Sequence, residues 1–69
     1  MIEMIDLFSV SGDLAGTADL TVKAPDQISL TVYSPDGYAG IMLDCDLSAA
    51  SARKLALSLL LVAEEAEPC

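Results

Sequence analysis

Polar and apolar residues alternate along much of the first two thirds of the chain, and a helical period follows. Ala18, Leu20 and Val22 alternate with Asp19, Thr21 and Lys23, and Ile28, Leu30 and Val32 alternate with Ser29, Thr31 and Tyr33. A period of two sends successive side chains to opposite faces, so each stretch predicts a half-buried strand. A third stretch runs from about Tyr38 to Leu47, with Ile41, Leu43, Cys45 and Leu47 on one side and Gly40, Met42, Asp44 and Asp46 on the other. Ala24-Pro25-Asp26 and Ser34-Pro35-Asp36-Gly37 separate these strands, each with a proline suited to a turn. Residues 1–10 fit two patterns: Glu3 and Asp6 stand three apart as on a helix, whereas the β-branched and aromatic neighbours suit a strand. We read a strand there, followed by a loop marked by Ser11-Gly12-Asp13 and Gly16.

From Ser48 onward the period changes. Ser48 is a natural N-cap, and Pro68 is expected to stop the helix. Ala52, Leu55, Leu59, Val62, Ala63 and Ala66 fall within an arc of roughly 100°, the width of a core-facing stripe, and this stripe is expected to pack on the sheet. Leu57, Leu60 and Leu61 lie off it, among Arg53, Lys54 and Glu64. They either cover additional core under the N-terminal segment, or mark a hydrophobic interface for self-association or for a partner. Glu64, Glu65 and Glu67 crowd the C-terminal end, where the helix dipole disfavours acids by a few tenths of a kcal/mol each. The expected fold is α+β: a small two-layer domain with a three- to four-stranded antiparallel sheet and one C-terminal α-helix packed on one face. Its strands fall at about 3–10, 17–23, 27–34 and 38–47 and its helix at about 49–67, all in a single domain of residues 1–69.

Composition narrows the chemistry. With 69 residues the chain is near the lower limit for a core without staples, yet 54% hydrophobic residues exceed what a disordered tail carries. Eleven acids against three Lys and Arg give a net charge of −8, which disfavours direct nucleic-acid binding and anionic membrane surfaces. A basic protein surface is the natural electrostatic partner; the bland alternative is that the charge only keeps a greasy protein dispersed. There is no histidine, so Ser-His and Cys-His pairs and the usual zinc sets cannot be assembled. Asp44-Cys-Asp46-Leu-Ser48 copies the opening of a calcium loop, but Ala49 replaces its glycine and Leu55 its bidentate glutamate. No cofactor, metal or catalytic residue is expected. Cys45 reads as a small apolar strand residue and Cys69 as an inert terminal thiol, in a reducing cytosol. The N-terminus carries acids where a secretory leader needs Lys or Arg, and Leu55 to Ala63 falls far short of the ~20 residues of a membrane span.

Asp44 and Asp46, with Asp19 on another strand, put three carboxylates on the uncovered sheet face, opposed only by Lys23. Spaced negative charges of this kind present what a cationic groove binds in a nucleic-acid backbone. As a pattern of size, strand order and charge, carried by Ile28 to Tyr33, Tyr38 to Leu47 and the helix from Ala49 to Glu67, the chain resembles the anti-CRISPR proteins of phages and mobile elements, in particular a small type I-C CRISPR-Cas inhibitor. That resemblance implies a cytoplasmic, non-enzymatic protein in a bacterial host cell, an acidic DNA mimic that blocks target DNA and PAM recognition by the effector's large subunit. It transfers no residue roles. On electrostatic grounds the expected partner-binding surface is Asp19, Asp44, Asp46, Glu64 and Glu65. A small self-associating structural protein, with a homodimer through Leu57, Leu60 and Leu61, and an acidic antitoxin-like partner of a basic protein are the alternatives.

Overall fold

A computed structural model describes residues 1–36 and 40–67. Four strands, β1 (Ile2–Phe8), β2 (Leu14–Ala24), β3 (Gln27–Tyr33) and β4 (Ile41–Leu47), precede one helix, α1 (Ala49–Ala66). The strands form an antiparallel meander in the order β1-β2-β3-β4, with α1 on one face: the small α+β domain that the alternating pattern predicts. Gly37 and Tyr38, expected to end the third turn and open β4, lie outside the described residues, as do Pro68 and Cys69.

Turn chemistry sets the register. Ala24 pairs with Gln27 across a two-residue connection in which proline fixes φ near −65° and Asp26 takes a φ of 60°. Aspartate tolerates that left-handed conformation because its short polar side chain finds local partners. Between β1 and β2 the loop closes on Ser9, whose N–H donates to the Asp13 carbonyl at 2.8 Å and whose carbonyl accepts from Gly12 at 3.0 Å, with Gly12 at a φ of 91°. Gly16, expected in this loop, is instead buried inside β2 opposite Leu7. A Cβ built on it would sit 2.7 Å from the Tyr33 carbonyl oxygen, so the residue is glycine because two strands approach closely there.

The sheet has the expected two sides. Ile5, Ala18, Leu20, Val22, Ile28, Leu30 and Leu47 line a cleft with Ala52, Leu55, Ala56 and Leu59 of the helix. Packing is nevertheless far looser than the helical period suggests. Leu55, Leu59 and Val62 are 44%, 62% and 65% exposed, so the stripe expected to be buried is held against the sheet only near its start. The reason is how the helix is anchored. Ser48 caps it by accepting from the Ser51 N–H at 3.1 Å, and the Asp26 carboxylate accepts from the Ala49 N–H at 2.8 Å. Both ties act on the first turn, and the element then approaches only β3 and β4. Its 18 residues span ~27 Å, most of it beyond those ties.

Candidate functional site: an acidic sheet face

The face of the sheet turned away from α1 is assembled from alternate residues of each strand. Register places Met4, Asp19, Thr31 and Asp44 in one row across all four strands, and Ile2, Thr21, Ser29 and Asp46 in the next. Asp6, opposite Thr17, joins from the edge strand. Asp19, Asp44 and Asp46 therefore stand on one surface as expected, and Asp6 adds a fourth carboxylate. The uncertain period of residues 1–10 hid it: only once β1 is a strand in this register does Asp6 share a face with Asp19.

Strand geometry sets the spacing. Asp44 and Asp46, alternate residues of β4, are ~7 Å apart, and Asp19 and Asp44, two strands apart, are ~10 Å apart. Such distances are comparable to the ~8 Å Debye length at physiological salt, so the charges add into one field. A hydroxyl or amide steadies each one. Thr17 Oγ1 donates to Asp6 at 3.3 Å, Thr21 Oγ1 to Asp19 at 3.4 Å and Thr31 Oγ1 to Asp44 at 3.2 Å, while Gln27 Nε2 reaches Asp46 at 3.5 Å. Thr31 and Ser29, on the inner strand β3, are buried on this face. Among the described residues a single cation stands on this face, Lys23, with its Nζ 4.0 Å from Asp46 and both side chains more than half exposed. So exposed a pair contributes little and leaves the face negative.

The other expected residues lie elsewhere. Glu64 and Glu65 occupy the last turns of α1, on the opposite side of the sheet from the aspartates, so they do not extend the acidic face. Leu57, Leu60 and Leu61 are 61%, 59% and 67% exposed, and nothing among the described residues covers them. Cys45 is a half-buried free thiol on the helix side of β4. Among the described residues no three acids or cysteines converge as a metal site would require, and no helix is long and apolar enough to cross a membrane. Asp26 escaped the sequence pattern, which marks it only as a turn residue; its hydrogen bond reaches 23 positions along the chain, beyond any local period.

Comparison with protein-family models, curated proteins and solved structures gives no match, so the fold and the acidic face stand on this chain's own residues.

Proposed function

We propose that the chain is a non-enzymatic binding protein whose acidic sheet face occupies a cationic, nucleic-acid-binding surface of a partner. The observation carrying this reading is the shared face of Asp6, Asp19, Asp44 and Asp46 against the lone Lys23. Lysines and arginines arranged for phosphate accept carboxylates in similar geometry, through charge-assisted hydrogen bonds. Threonine donors hold three of the four carboxylates, and a sheet is a stiff support, which lowers the ordering cost of binding. Following the resemblance to type I-C inhibitors, the partner is the PAM-reading large subunit of a type I CRISPR-Cas effector in a bacterial cytoplasm, and the mode is DNA mimicry.

The test is binding of the chain to purified type I-C effector over a salt series, with a target DNA duplex as competitor. Affinity is expected to fall steeply as salt rises, and protein and duplex are expected to exclude one another. Absence of binding at low salt removes the proposed partner, and binding that leaves DNA association intact removes the mimicry.

A further inference from the structure

We infer that this chain forms a closed homodimer in which each copy's α1 fills the vacant half of the other copy's apolar sheet face. The first observation is one of width. Four strands ~4.8 Å apart make a face that accommodates two helices side by side at an 8–10 Å axial separation, and this chain supplies one. Along the β1–β2 half the face stays open: Ile5, Leu7 and Val22 are 47%, 40% and 55% exposed and border a cleft of about 540 Å³ between sheet and helix.

The helix makes the reciprocal demand. Between Leu55 and Val62 Ser58 is the one polar residue, and Leu57, Leu60 and Leu61 are as exposed as Leu59 and Val62. A helix of that composition belongs where it is enclosed on several sides. In a layer of two helices between two sheets, each one touches its own sheet, the partner's sheet and the partner's helix. Vacant groove and uncovered helix belong to the same chain, so a two-fold axis satisfies both at once and the assembly closes.

The surface area fits this arrangement. The single chain exposes 5462 Å², against roughly 4,100 Å² for a compact monomer of its 7.2 kDa. The surplus of about 1,300 Å² per copy is what a protomer loses in an obligate homodimer, whose interfaces total about 2,000–5,000 Å². Its radius of gyration, 13.5 Å, likewise exceeds the ~11 Å of a compact chain of this length. Face-to-face closure also turns both acidic faces outward, separated by two sheet-to-helix layers of ~10 Å each, well beyond the Debye length.

Sedimentation equilibrium of the full chain over two decades of concentration tests the inference. A species of twice 7.2 kDa is expected, and its dissociation constant should fall as salt rises, because screening relieves repulsion between two copies of charge −8. That salt response is opposite in sign to the one expected for the cationic partner, so either reading can fail without the other. The double variant Leu57→Glu, Leu61→Glu alters side chains that lie off the stripe facing the chain's own sheet and are 61% and 67% exposed in one copy; it should keep its circular dichroism spectrum and self-associate at least tenfold more weakly. A wild-type mass of one chain throughout, a mass that climbs without limit, or a folded double variant that dimerises as tightly as wild type overturns the dimer.

Discussion

Asp26 does two jobs that normally fall to different residues. It takes the positive φ at the second position of the β2–β3 turn, and its carboxylate caps α1 through the Ala49 N–H at 2.8 Å. Asp26→Ala loses the acceptor, about 0.5–2 kcal/mol, and with it the local polar contacts that let a residue with a Cβ tolerate the left-handed region. Asp26→Asn keeps both the tolerance and an acceptor oxygen. Urea midpoints at one fixed protein concentration should therefore show Asn close to wild type and Ala well below it; an Ala variant as stable as wild type would mean that the contact does not hold the helix. Gly16 is the second such residue. The alanine variant must push its Cβ away from the Tyr33 carbonyl oxygen, 2.7 Å away, at a cost of about 1–3 kcal/mol, whereas an unchanged midpoint would mean that the strands give way freely. A sequence marks glycine as punctuation. Whether it signals a loop or a close approach depends on the neighbouring strand, which is why this one was expected outside β2.

The strands were legible because alternation is a local signal. Ile28 to Tyr33 and Ala18 to Lys23 carry it, and the structure pairs them directly, Leu30 with Leu20 and Thr31 with Asp19. The period of α1 was equally readable, but a period reports which side would be buried, not for how many turns the helix stays on the sheet. Its C-terminal half illustrates this. No basic residue stands in the last turn, and Glu64 and Glu65 oppose the dipole there. Replacing both by Gln should raise stability by a few tenths of a kcal/mol for each. Because the sheet separates them from the acidic face, partner affinity should change far less than when sheet aspartates are altered; a loss as large as theirs would place the helix end in the binding surface.

At the scale of the whole molecule two surfaces divide the chain between them: an apolar side too large for one helix to cover, and an acidic side that the strands hold stiff. The acidic side was partly legible, since Asp19, Asp44 and Asp46 follow from alternation, while Asp6 required the register of β1. The open groove was not, because exposure depends on how the helix is aimed. Binding through the acidic side is tested most directly by titrating the effector with the triple variant Asp19→Asn, Asp44→Asn, Asp46→Asn. Amide oxygens preserve the acceptors for Thr21, Thr31 and Gln27, so the fold should persist while three charges vanish. At 0.2–1 kcal/mol for each exposed ion pair, affinity should drop by about threefold to a hundredfold, with a shallower dependence on salt. A folded triple variant that binds as tightly as wild type, with the same salt dependence, would contradict the role of the sheet face.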